Sequence, residues 1–345
     1  MNRITLPKLS RGDQVAIISP SAGLPGLFPW VQDLGLKRLT DVFGLVPKEY
    51  PTTRVMGSSL QDRARDIMAA FADPANKAVF ASIGGEDQIK LIKYLDLDVL
   101  SKNPKPFFGY SDNTHLHNTL WNLGIPSYYG GNIMTDFAFH QQMCDITVRS
   151  IEHALFYSGE QEVGVAGEYN DIGIDWSDKD NLEKTRVFEK NDGLHWDGET
   201  DAQGILWGGC VESLIEQVAT QKYLPSDEEL NGAVLFLETA EDLPEPWIVE
   251  YLLAGFGERG WLAKFSAVLV GRPKSWEFDK PNDAQQKEAF KKEQRDTILA
   301  TVREYNATIP VIQNVDFGHT SPQVIVPSGN MARVDATARK LYFTY

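Results

Sequence analysis

The feature that most constrains this chain is a rhythm of short apolar runs, each broken by glycine, serine or proline. Gln14-Val-Ala-Ile-Ile-Ser19 runs into Pro20-Ser-Ala-Gly, and Ala78-Val-Phe-Ala-Ser-Ile83 runs into Gly84-Gly85. Pro106-Phe-Phe-Gly-Tyr110 ends at Ser111, and Pro126-Ser-Tyr-Tyr129 is followed by Gly130-Gly131. Between them, Gln61–Ala72 and Asn113–Leu123 carry helical spacing, with Leu116, Leu120 and Leu123 as apolar positions. Apolar runs without alternation suit strands buried on both faces. Strands that alternate with helices predict βαβ units on a parallel sheet.

The pattern resumes from Gly204, with strand-like runs at Ala233–Leu237, Ser266–Val270 and Pro310–Asn314. Helical stretches at Cys210–Thr220, Trp247–Phe256 and Asp283–Tyr305 separate them. The intervening Glu160–Thr200 segment is acidic and glycine-containing, punctuated by Trp176, His195 and Trp196, and reads as linker and surface loop. A chain of 345 residues, 42% hydrophobic, can bury a core for each of two α/β domains. The division expected is 1–160, a connecting 161–203, and 204–345.

Charge narrows the partners. Lys plus Arg total 33 against 48 for Asp plus Glu, a formal net charge of -15 with no offsetting basic run. Such a surface repels phosphate backbones, so neither nucleic acid nor an anionic membrane is an expected partner. The first residues lack an apolar signal core, and no run approaches the roughly 18–20 apolar residues of a membrane span. Cys144 and Cys210, far apart, fit free thiols in a reducing compartment. The expectation is a cytoplasmic protein with no bound metal and no cofactor.

Ser111 stands directly after an apolar strand and before a helical pattern, in Phe107-Phe-Gly-Tyr-Ser-Asp-Asn-Thr. A tight strand-to-helix turn exposes a serine hydroxyl next to backbone N–H groups that can face an oxyanion. The full elbow pattern has a second glycine where this chain has Asn113, and Ser111 or Asp112 would equally serve as a helix cap. Glu238 ends the run Ala233-Val-Leu-Phe-Leu237, where open α/β sheets place functional groups, although it also suits a cap or a solvated acid. Of the six histidines, His115, His117, His140 and His153 fall on helical stretches and His195 in the acidic loop. His319 alone sits in a turn just past a strand, as suits a general base. Gly84-Gly85 lets backbone approach a ligand closely, or is simply a tight turn.

Four segments taken together resemble the LD-carboxypeptidase family of serine peptidases, one branch of which is the microcin-C immunity peptidases. They are Pro7-Lys-Leu-Ser-Arg-Gly-Asp13 leading to Ser19-Pro-Ser21, Ile83-Gly-Gly85, Phe108-Gly-Tyr-Ser-Asp112, and Phe317-Gly-His319. The likeness runs in order from about residue 5 to about residue 335, and Phe-Gly-Tyr-Ser-Asp is its most specific element. It implies Ser111 as nucleophile, Glu238 as triad acid and His319 as base. It also implies an oxyanion hole from the N–H groups of Asp112 and Gly85, with Gly84 beside the substrate. The implied fold is an N-terminal Rossmann-like parallel-sheet domain plus a smaller C-terminal α/β domain built around β-structure, assembled as a homodimer.

Gly130–Phe137, the acidic insertion and Leu206–Ser213 are more similar to the immunity branch. Its members cleave the amide joining a C-terminal aspartate to a modified adenylate, with a loop aromatic stacked on the base. Trp176 is the candidate for that stack and Trp196 its substitute, unless both merely pack the loop. Cys210 departs from the family, which more often has Asn there. The murein branch instead cuts an L-to-D amide in cell-wall tetrapeptides and must hold a terminal carboxylate, for which Arg54, Arg186 and Arg272 are equal candidates. A non-enzymatic protein that sequesters a peptidyl nucleotide is the third reading.

Overall fold

In the structure, a computed structural model that describes residues 3–345, the four apolar runs of the first half become strands. They are β1 (Gln14–Ile18), β3 (Asn76–Ala81), β4 (Phe107–Gly109) and β5 (Ser127–Tyr129), joined in a parallel sheet by β2 (Val46–Glu49). The edge strand β2, Val-Pro-Lys-Glu, is mostly exposed and so lacks an apolar signature. Helices α1 (Pro29–Asp41), α2 (Leu60–Ala72), α3 (Gln88–Leu91), α4 (Leu97–Lys102), α5 (Thr114–Asn122) and α6 (Asp145–Phe156) accompany this half. The start of α2 is set by Ser59, whose side chain accepts the Asp62 N–H as an N-cap.

Among the described residues the second sheet holds eight strands, in the order β6 (Glu160–Glu162), β16 (Lys340–Thr344), β15 (Met331–Asp335), β10 (Ala202–Cys210), β11 (Val234–Glu238), β12 (Ala267–Gly271), β13 (Val311–Val315) and β9 (His195–Asp197). Its parallel centre is β10 (Ala202–Cys210), β11 (Val234–Glu238), β12 (Ala267–Gly271) and β13 (Val311–Val315). Helices α7 (Val211–Thr220), α8 (Pro246–Glu258) and α9 (Ala284–Tyr305) connect them, and α9 opens on an Asp283–Gln286 capping box. The hairpin β15 (Met331–Asp335) and β16 (Lys340–Thr344) adds antiparallel strands beside β10.

The segment read as linker is more regular than expected. It supplies β6 (Glu160–Glu162) and β9 (His195–Asp197), which close the two edges of the second sheet. It also supplies a small pair, β7 (Glu168–Tyr169) and β8 (Glu189–Lys190). Two- and three-residue strands rich in Glu and Asp leave no periodic trace in sequence, because the neighbouring strand rather than propensity fixes them. With these additions the second sheet, at eight strands, is larger than the first at six.

The two sheets interlock. After β13 the chain crosses back, and β14 (Val326–Ser328) pairs antiparallel with β5 in the first sheet. Helix α5, buried from Thr114 to Trp121, packs between β5 and the β10–α7 unit. The carboxyl ends of β3, β4, β11 and the segment after β13 are thereby brought together. No helix among the described residues is long and apolar enough to cross a membrane.

Candidate active site

Ser111 follows β4 by two residues and has φ of +66°, in the left-handed region that β-carbon sterics disfavour. Strain of this kind persists only where the surroundings impose it. Here the Ser111 N–H donates to the Tyr129 hydroxyl at 3.0 Å, and the Ser111 carbonyl accepts from Thr114 Oγ1 at 2.6 Å. Asn113, in the position of the missing second glycine, has a structural task. Its amide donates to the carbonyls of Tyr110 and Ile83, and its oxygen accepts from Gln88. It therefore ties the turn to the Gly84-Gly85 loop. A Cβ on Gly84 would lie 3.1 Å from Ser111 Oγ, so the glycine lets this backbone reach the hydroxyl.

Glu238 closes β11 and is buried, with both oxygens occupied. Oε1 accepts from the Tyr129 hydroxyl at 2.5 Å, and Oε2 lies 2.6 Å from His319 Nδ1. Tyr129 thus bridges the serine backbone and the acid across the two sheets. Its phenol is pushed well above the usual range, by burial first and by the Glu238 charge second. Gly318, at φ +103°, permits the turn that delivers His319; a Cβ there would come within 2.8 Å of Glu238 Oε2.

His319 is nearly enclosed, its ring edge-on to Tyr110 at 5.1 Å. Its Nε2 lies 2.9 Å from Oε2 of Glu241, a residue not anticipated from sequence, whose side chain is 53% exposed. No hydrogen bond joins Ser111 Oγ to His319 among the described residues. Burial opposes the imidazolium, yet Glu238 and Glu241 together outweigh it and hold His319 well above its ordinary range. Glu241 in turn is held down at about 2: desolvation where its carboxylate meets the ring would raise it, but the His319 charge prevails. Nearby Asp136, raised to about 7 by burial, accepts from the N–H groups of Gly131 and Asn132.

Ser111, His319 and Glu241 open onto one cavity of about 940 Å³. Ser111, Gly84, Gly85, His319 and Trp176 all line it. Trp176 is half-buried, edge-on to Phe28 at 5.8 Å, and has its carbonyl tied to Trp30 Nε1. Phe278, Phe139 and Tyr110 are further lining aromatics that sequence reading missed. Trp196 is not part of the lining: it lies in β9 opposite Ile312 and packs on the core. Asp112 is buried behind the turn, its Oδ2 accepting from Gln88 N. Cys210 is buried opposite Glu238 in register, with its thiol 3.0 Å from Glu212 Oε2.

The histidines divide in the same way. His115 and His117 are buried on α5, whereas His140 lies outside any helix and lines the cavity beside Arg186. Among the described residues, no three or more His, Cys, Asp or Glu side chains stand together as a metal-binding group.

Known proteins match both halves. A family model described as the LD-carboxypeptidase N-terminal domain matches residues 15–130, and one described as the LD-carboxypeptidase C-terminal domain matches residues 203–334. The Microcin C7 self-immunity protein MccF of Escherichia coli is 24% identical over 289 residues, covering 83% of this chain and 79% of that protein. A Bacillus subtilis protein named "Probable murein peptide carboxypeptidase" is 24% identical, covering 96% of this chain and 91% of its own. Among solved structures, an MccF-like protein from Streptococcus pneumoniae in complex with AMP has 28% identity and a TM-score of 0.84. It covers 97% of this chain and 99% of that one.

Proposed function

The chain belongs to the LD-carboxypeptidase family, and from that premise we propose that it is a serine peptidase acting through Ser111, His319 and Glu238. The observation that carries the reading is the chain of contacts from Ser111 N through buried Tyr129 and Glu238 to His319, with Ser111 and His319 at its two ends lining one cavity. A hydroxyl is a weak nucleophile and needs an adjacent base, whose charged form a carboxylate then stabilises. His319 Nε2, once free of Glu241, takes the proton as Ser111 Oγ attacks the amide carbonyl. The N–H groups of Asp112 and Gly85 face the tetrahedral oxygen. Collapse breaks the C–N bond as His319 returns the proton to the leaving amine, and water then releases the acyl group from the serine.

The substrate proposed is a small aminoacyl- or peptidyl-nucleotide, cleaved in microcin-type immunity or detoxification. Trp176 in the cavity favours it, since a lining indole offers a stacking face to a base. The E. coli relative named for self-immunity and the neighbour solved with AMP point the same way. The relative named for murein peptides supports the second reading, a carboxypeptidase of cell-wall tetrapeptides.

A mass-spectrometric competition decides between them. The protein is given aspartyl- or glutamyl-sulfamoyl adenosine together with a murein L,D-tetrapeptide, and Ser111→Ala serves as control. Release of free amino acid and nucleoside sulfamate is the expected result, lost by roughly 10⁴-fold or more in the alanine variant. Release of terminal D-alanine instead selects the murein reading. Turnover unchanged by Ser111→Ala sinks the mechanism, and binding without any turnover leaves a sequestering protein.

A further inference from the structure

Among the described residues, the cations in the cavity wall are neutralised with one exception. Arg63 makes a two-pronged pair with Asp87 at 2.8 and 2.9 Å, and Lys274 is paired with Glu277. His319 is flanked by Glu238 and Glu241. Arg186 has no carboxylate partner among the described residues. In a chain of net charge -15 an uncompensated, partly buried guanidinium is costly, because buried charges are ordinarily paired.

Nor is the side chain loose. Arg186 Nε donates to Asn170 Oδ1 at 3.1 Å, Nη1 donates to His140 Nδ1 at 3.4 Å, and the guanidinium lies 4.8 Å over the Phe139 ring. The Asn170 amide donates to the Val187 carbonyl, and the Asn170 backbone bridges to Ser321, two residues past His319. Nη2 meets no protein acceptor among the described residues. Asn170, His140, Phe139 and Arg186 all line the cavity that holds Ser111. Burial without a counter-charge lowers the guanidinium to about 10, and His140, pushed down to about 4, stays neutral beside it.

We infer that Arg186 is the anion anchor of the substrate cavity, holding an oxyanion of the substrate at a fixed distance from the Ser111 end. That anion's belonging to a substrate rests on the peptidase reading. The two other arginines weighed from sequence are both committed elsewhere. Arg54 pairs with Glu49 and Asp33 on the surface, and Arg272 pairs with Asp316 in the interior. A planar fork already held on two sides suits a phosphoryl, sulfamoyl or carboxylate group, which share the chemistry of two or more acceptor oxygens.

The test is calorimetric titration of the Ser111→Ala protein with two matched pairs: AMP against adenosine, and a murein L,D-tetrapeptide against its terminal carboxamide. At least one anionic member is expected to bind about tenfold or more tightly than its neutral counterpart, the size of a charge-assisted hydrogen bond. Arg186→Gln reduces that preference to roughly twofold or less, and Arg186→Lys regains part of it. Preference within the first pair assigns the anion as phosphoryl, and within the second as carboxylate. No preference in either pair, or a preference that survives Arg186→Gln, overturns the inference. Should Arg186→Gln fail to fold, the comparison with Arg186 intact and the lysine variant decide. Turnover by the protein with Ser111 intact is scored separately. Anion preference without hydrolysis defeats the peptidase reading and leaves the anchor standing.

Discussion

Glu241 Oε2 lies 2.9 Å from His319 Nε2, the nitrogen that a general base must have free. The imidazole is therefore clamped, Glu238 on Nδ1 and Glu241 on Nε2, with the Tyr110 ring in edge contact and the carboxyl groups of Asp136 and Asp242 close by. Both carboxylates favour the protonated ring, which cannot accept the serine proton. On the proposed mechanism, catalysis then requires Glu241 to leave and the ring to lose its proton. Glu241→Gln is expected to move the acid limb of kcat/KM to lower pH and to raise the relative rate near about pH 6. A pH profile of the variant that superimposes on the unmodified protein would mean that Glu241 exerts no hold on the base.

Tyr129 gives a second prediction. Its hydroxyl is donor to Glu238 and acceptor for Ser111 N, so Tyr129→Phe strips one partner from a buried carboxylate and one from a strained turn. Leaving such groups unpaired costs about 1–3 kcal/mol of stability. With both catalytic elements loosened, kcat should fall by roughly 10- to 100-fold while KM changes little. Thermal denaturation and steady-state kinetics read the two effects. A stability loss with kcat intact would show that the bridge serves folding alone.

Much of this arrangement was legible in sequence, and the pattern of what was not is physical. Ser111, Gly84 and Glu238 stand at the ends of apolar runs, because strands buried on both faces write their ends plainly. His319 is set apart by its turn. Glu241 and His140 come from irregular backbone, where a residue's neighbours are decided by the fold and leave no period to read; Arg186 lies on such backbone too, so it was named beside Arg54 and Arg272 with nothing to select it. Tyr129 is the exception among those missed. It ends a strand just before Gly130-Gly131, the same context that singled out Ser111 and Glu238. The β15–β16 hairpin was also readable, since buried and half-exposed residues alternate along both strands.

Gly318 separates backbone strain from site geometry. Gly318→Ala forces a side chain to φ +103° and puts its Cβ 2.8 Å from Glu238 Oε2, while Gly12→Ala meets φ +94° with open space around it. Each should cost about 1–3 kcal/mol from strain. Only Gly318→Ala should also remove activity, by about 100-fold or more, because it displaces Glu238 and His319, the proposed acid and base, together. Equal activity in the two variants would sever the link between this glycine and the site.

Asp136 carries a pH signature of its own. Burial raises its carboxyl from the ordinary 3.8 to about 7, against the two backbone N–H groups it accepts. A carboxyl that binds its proton more tightly folded than unfolded contributes stability at low pH, and that contribution is lost as pH climbs from about 4 to about 7. Asp136→Asn is neutral throughout and escapes the loss, keeping one acceptor for the Gly131 or Asn132 N–H. Relative to the unmodified protein, its Tm should therefore be higher near pH 8 than near pH 5, by an amount on the order of a few degrees. If the Tm difference between the two proteins is the same at both pH values, Asp136 titrates alike folded and unfolded, and burial does not govern it.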